Sequence, residues 1–149
     1  MVQGDTIPDT DHVARYCRKT AINEDGKPTG VAFRPKPIDT YLSVSWLENT
    51  GRTSRDAQVL AARTALAAEL TLAKSGQMAV LHIEKTRTHV ADKSEDKRCL
   101  HFSHEPTPTN PYHSGISNLS ADDVVIADLI AEVVCACYSV QDSYTFQDS

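Results

Sequence analysis

Residues 40–48, TYLSVSWLE, place Tyr41, Ser43 and Ser45 on one side of an extended chain and Leu42, Val44 and Trp46 on the other. Such alternation demands a strand with one polar and one buried face, so the fold must contain a sheet with an apolar layer beneath it. The following segment, RDAQVLAARTALAAELTLAK, is rich in alanine and leucine and sets Val59, Arg63, Leu66, Leu70 and Ala73 at helical spacing. Ser54 stands where the first free N–H groups need an acceptor, and Gly76 where a helix should stop. The pattern predicts a helix over about 54–74.

The other segments fit the same class. HVARYC, 12–17, alternates weakly and reads as a short strand, after which RKTAINEDGKPTG is dense in turn formers around Asp25-Gly26 and Lys27-Pro28. VAFRP, 31–35, reads as another short strand, stopped by Pro35 and Pro37, which have no N–H to give a ladder. MAVLHIE, 78–84, is a mostly apolar run of strand length, the pattern of a central strand covered on both faces. KTRTHVADKSEDK is polar and reads as a short helix or a loop, whereas RCLHFSHE, 98–105, alternates again. Ser120 with Asp123 opens a second helix whose buried side runs through Val124, Val125, Leu129, Ile130, Val133, Val134 and Cys137. The expected fold is a single compact α+β domain over 11–140, with about five short strands in a mixed or antiparallel sheet and two main helices, about 54–74 and 120–138. The polar stretches 1–10 and 141–149 are expected to be loose ends.

Charge narrows the function classes. The net charge is -5, and residues 76–149 carry five Lys+Arg against eleven Asp+Glu. General nucleic-acid binding is therefore not expected, although Arg15, Arg18, Lys19, Arg34 and Lys36 form a local basic group able to hold a phosphate. No apolar run approaches the roughly 20 residues needed to span a bilayer, and MVQGDTIPDTDH lacks the features of a secretion signal. A cytoplasmic protein without membrane partners is expected. Cys17, Cys99, Cys135 and Cys137 contain no CxxC pair and read as buried free thiols.

The histidine-rich stretch HFSHEPTPTNPYHSGI, 101–116, concentrates the unusual side chains. His101 and His104 sit three apart on an alternating strand and so face opposite ways, while His104 and His113 flank a loop stiffened by three prolines. The spacing matches no zinc motif, so no metal site is assigned. His104 and His113 are the candidate proton-handling residues. His12, Arg15, Tyr41, Ser43 and Glu105 are the candidate ligand-binding residues, Arg15 because a guanidinium grips phosphate or carboxylate with two prongs. The same Pro, Asn and Gly residues also account for the loop as turn chemistry alone. No Gly-rich phosphate loop stands out, and the cofactor is left open.

Three stretches, DHVARYC, YLSVSWLEN and HEPTPTNPYHSGI, together resemble an uncharacterised family of small bacterial proteins, and the resemblance runs from about Asp11 to Val140. The order of elements, an early strand with Arg15-Tyr16 and a Tyr-x-Ser-x-Ser strand running into a helix, is more faintly similar to toxin-type ADP-ribosyltransferase-like domains. That resemblance implies nicotinamide-cofactor contacts at Arg15, Tyr41, Ser43 and Glu105, but the late catalytic glutamate motif of such domains is missing. The expectation is a His/Arg pocket for an anionic, nucleotide-like small molecule, with ADP-ribosyl or phosphoryl transfer as the reaction class. The alternative is a non-catalytic interaction, accessory or immunity-like module whose acidic second half meets a protein partner. Oligomeric state is left open.

Overall fold

The structure is a computed structural model, and it describes residues 2–140. Six strands form one antiparallel sheet: β1 (His12–Cys17), β2 (Leu42–Trp46), β3 (Gln77–His82), β4 (His101–His104), β5 (His113–Ser117) and β6 (Ala136–Ser139). Their order across the sheet is β4-β5-β2-β1-β3-β6. Among the described residues three α-helices accompany them: α1 (Arg55–Ala67), α2 (Ile83–Lys93) and α3 (Val124–Glu132). The α+β class holds, with one strand more than expected.

Each face of the sheet has its own apolar layer. Val13, Cys17, Leu42, Val44, Trp46, Ala79, Leu81, Phe102 and Ile116 pack with Ile83 and Val90 of α2 and Ile126, Leu129 and Ile130 of α3. On the opposite face Ala14, Met78 and Val80 pack with Leu47 and with Val59 and Ala62 of α1. The strand read from TYLSVSWLE buries Leu42, Val44 and Trp46 as its alternation requires. The run around 78–84 is central in the sheet, with Met78 to Leu81 buried between the two layers.

Several expectations are corrected. The second helix does not run from 120 to 138: it covers Val124–Glu132, and the chain then returns as the edge strand β6. VVCACYS is apolar enough to read as more helix, but its β-branched valines suit extended chain equally well, and pairing with β3 decides. The first helix starts at Arg55 as expected, with Ser54 Oγ accepting from the Ala57 N–H at 3.2 Å, but stops at Ala67 instead of near 74. Beyond it Leu70 is 55% exposed, so no burial supports further turns. Polar 83–93 is a true helix, α2, that buries only Ile83, Thr86 and Val90. VAFRP is not a strand: Gly30–Phe33 forms a short 3-10 turn against α3. Among the cysteines only Cys17 is buried, and all four are free.

The N-terminal stretch is tied to the sheet where it is described. The Gly4 N–H donates to the His104 carbonyl at 2.6 Å, the His104 N–H to the Asp5 carbonyl at 2.9 Å, and the Ile7 N–H to the Phe102 carbonyl at 3.0 Å. Ile7 is fully buried, so this segment covers the otherwise open edge of β4. The tail 141–149 lies outside the described residues.

Two contacts give stability predictions. A Cβ on Gly30 would overlap the Asp128 carboxylate and lie 2.9 Å from the Asp128 backbone nitrogen, so the turn would have to leave α3. Gly30→Ala is expected to cost about 1–3 kcal/mol in denaturant unfolding. Arg98 meets both Asp123 oxygens, at 2.8 and 3.1 Å, and also Asp96 and the Asn118 carbonyl. Hydrogen bonding to Arg98, and secondarily to Ser120, holds the Asp123 carboxyl below the ordinary carboxylate value. Its stabilisation is complete above the unfolded-state value of about 3.9 and is lost as pH falls through the lower folded value. Asp123→Asn is expected to lower stability at pH 7 by about 1.5–3 kcal/mol and to flatten acid unfolding below about pH 4, as equilibrium unfolding across pH would show.

Candidate functional site

The centre of the site is His12, the first residue of β1. β2 ends at Trp46, and the chain turns through Glu48–Thr50 to Gly51, whose φ of 74° lies in the left-handed region that glycine enters without strain. That turn places Glu48 over the start of β1. Glu48 Oε1 accepts from the His12 backbone N–H at 2.7 Å, and Oε2 lies 2.7 Å from His12 Nδ1. A carboxylate only accepts, so Nδ1 carries a proton, and in the neutral ring the lone pair is then on Nε2. Ser54 then opens α1, and its first residue, Arg55, brings one guanidinium nitrogen to 3.1 Å from His12 Nδ1 and another to 3.7 Å from Glu48 Oε2. A guanidinium only donates, so its approach to a protonated Nδ1 is a packing contact, and the attraction of Arg55 is to the Glu48 carboxylate. Gln58 steadies Arg55 from one turn further on, at 3.0 Å.

The fourth member is His82, the last residue of β3, which the register sets directly across from His12. The two rings meet edge to face with centroids 4.9 Å apart. His82 also caps α2, its Nδ1 accepting from the Lys85 N–H at 3.2 Å. The proton of neutral His82 is therefore on Nε2. Burial, then the nearby His12 and Lys85, lower its pKa below the usual histidine value. The side chains of His12, Glu48 and Arg55 are 20%, 29% and 31% exposed, so the cluster is held by the protein yet open to solvent.

The structure separates the other candidates. Tyr41, Ser43, Glu105 and His113 come to one region on the α1 face: Ser43 pairs with Gly115, Tyr41 lies over Gly115, and the Tyr41 and His113 rings are 5.9 Å apart. His113 Nδ1 is 2.7 Å from the Glu105 carbonyl, and Glu105 Oε2 is buried without a hydrogen-bond partner. The loop between Glu105 and His113 owes its shape to a Thr107–Asn110 bridge and to fully buried Asn110. His104 faces the other side of the sheet, 6% exposed, edge-on to Trp46 at 5.3 Å with Nδ1 unpartnered, and its burial lowers its pKa. His104 and His113 do not converge, because His104 pairs with Ser114 and neighbouring residues on a strand point to opposite faces.

Arg15 is spent on structure. Its Nε donates to the Ala32 carbonyl at 2.9 Å and one terminal nitrogen to the Ser43 carbonyl at 2.8 Å, pinning the 3-10 turn to the sheet. Burial lowers its pKa below the usual guanidinium value. A cleft of about 470 Å³ lies elsewhere, lined by Lys27, Pro28, Glu132, Cys135 and Cys137 among others. Partial desolvation by its neighbours raises the thiol of surface-exposed Cys137, and burial pushes Cys17 up to about 12, away from thiolate chemistry. Among the described residues no group of three or more His, Cys, Asp or Glu side chains has metal-binding geometry.

Glu48, Arg55 and His82 escaped the sequence reading. Glu48 and His82 share one signal: each is a polar residue at the end of an apolar strand run, where the chain leaves the sheet. No protein-family model, curated protein or solved structure matches the chain.

Proposed function

We propose that the chain binds an anionic, nucleotide-like small molecule over His12, Arg55 and His82, and that His12 handles the proton of a transfer reaction on it. The observation that carries this reading is the grip of Glu48 on His12. One carboxylate takes both the backbone N–H and Nδ1 of the same residue at 2.7 Å, fixing the ring and leaving Nε2 to accept a proton. Arg55 supplies the positive charge that the sequence had suggested for Arg15, and its planar fork suits phosphate or carboxylate. No helix among the described residues is long and apolar enough to cross a membrane.

A thermal-shift panel of inorganic phosphate, ADP-ribose, NAD and ATP tests this. A ligand at a hundred times its dissociation constant stabilises by about 2.7 kcal/mol. The shift is expected for the wild type and is expected to vanish in Arg55→Ala and His12→Ala. A flat panel, or a shift unchanged in both variants, would refute the reading. The interaction-module alternative draws support from Val31, Val124 and Val125, which leave apolar surface on the Gly30–Phe33 turn and the adjoining α3.

A further inference from the structure

We infer that His82 is a second catalytic residue, a neutral Nε2–H donor to a developing oxyanion, and that the site hydrolyses an activated acyl group such as an acyl phosphate. The inference rests on the proposed function and deepens it by naming the reacting centre.

The two histidines are fixed in opposite tautomers. Glu48 takes the Nδ1 proton of His12, so Nε2 of that ring is an acceptor. The Lys85 N–H occupies Nδ1 of His82, so Nε2 of the second ring is a donor. Protonating His82 would break this cap and set a cation at the positive end of α2, an 11-residue helix. It would also set that cation beside Lys85, although Glu84 and Glu48 act in the opposite sense. His82 thus donates a hydrogen bond while remaining neutral. With ring centroids 4.9 Å apart, the two side chains are near enough for a base and a donor to act on one bound group.

This pairing suits acyl better than phosphoryl chemistry. A phosphoryl transition state spreads charge over three equatorial oxygens and calls for several cationic groups. The one guanidinium in this cluster already shares its charge with Glu48. Attack on an acyl carbon develops charge on a single oxygen, which one oriented donor can meet. In the first step His12 Nε2 takes a proton from water as the water oxygen bonds to the acyl carbon. The carbonyl π electrons move to oxygen, where His82 Nε2–H stabilises them. The tetrahedral adduct then reforms its carbonyl and breaks the bond to the leaving oxygen, which receives the proton from His12. Acyl phosphate and water give carboxylic acid and phosphate, and both histidines end as they began.

Acetyl phosphate in ¹⁸O-labelled water tests the proposal with the intact chain. Protein-dependent hydrolysis with the label in acetate is expected, since carbon is attacked. His82→Asn keeps an acceptor to cap α2 but removes the ring donor, and is expected to lower kcat about 10²-fold with KM little changed. Label in phosphate, or an unchanged kcat in His82→Asn, would overturn the acyl assignment. Absence of turnover while inorganic phosphate still shifts the melting temperature would overturn it too, leaving the binding reading intact. Loss of both turnover and phosphate binding would remove both.

Discussion

Phe102→Ala is expected to lower the stability of the fold by about 3–5 kcal/mol, the cost of deleting a fully buried aromatic side chain and leaving a cavity. For a domain of this size that is a fall in melting temperature of roughly 6–20 °C. The residue sits on β4 with its ring in the layer under α2 and α3, and its carbonyl receives the Ile7 N–H. The cavity should therefore also loosen the N-terminal segment that covers the sheet edge. Calorimetry measures the first effect, and faster hydrogen exchange of the Ile7 amide the second. A fall below about 1 kcal/mol would mean that the β4 end of the sheet is not part of the cooperative core.

Glu48→Ala should have the largest effect on function. It leaves the His12 backbone N–H and Nδ1 without their acceptor and removes the counter-charge of Arg55. His12 then loses both its tautomer and its orientation. Loss of an oriented base lowers turnover on the order of 10²–10⁴-fold. Acetyl phosphate hydrolysis measures it, and the variant should still fold because Glu48 and His12 are both partly exposed. Glu48→Gln makes the sharper comparison. An amide can accept one of the two bonds but has only one oxygen, so intermediate activity is expected.

The sheet was legible wherever alternation was strict, as at Leu42, Val44 and Trp46, because a period of two with one buried face has few other solutions. It was illegible where local and tertiary preferences are evenly matched. Val133, Val134 and Cys135 continue the apolar pattern of α3, and only the open edge of β3 makes extended chain the better choice beyond them. α2 was obscured because three buried positions in eleven residues give almost no periodic signal. Of the four residues of the site only His12 was legible, for a related reason. His12 was selected as a ligand-binding candidate on the HVARYC strand, but its partners come from the β1–β3 register and from the turn after β2, and neither is written in local spacing. Arg15 misled because a guanidinium offers the same donors to buried carbonyls as to phosphate. His104 and His113 misled because pairing with Ser114 puts them on opposite faces.

Glu48 fixes His12 with its proton on Nδ1. Long-range ¹⁵N–¹H NMR of the imidazole nitrogens at pH 7 measures this directly. A protonated Nδ1 on His12 that gives way to mixed tautomers in Glu48→Ala, together with a shift of Nε2 on adding inorganic phosphate, is the predicted result. A His12 ring protonated on Nε2 alone, unchanged by Glu48→Ala and by phosphate, would mean that Glu48 does not set the tautomer.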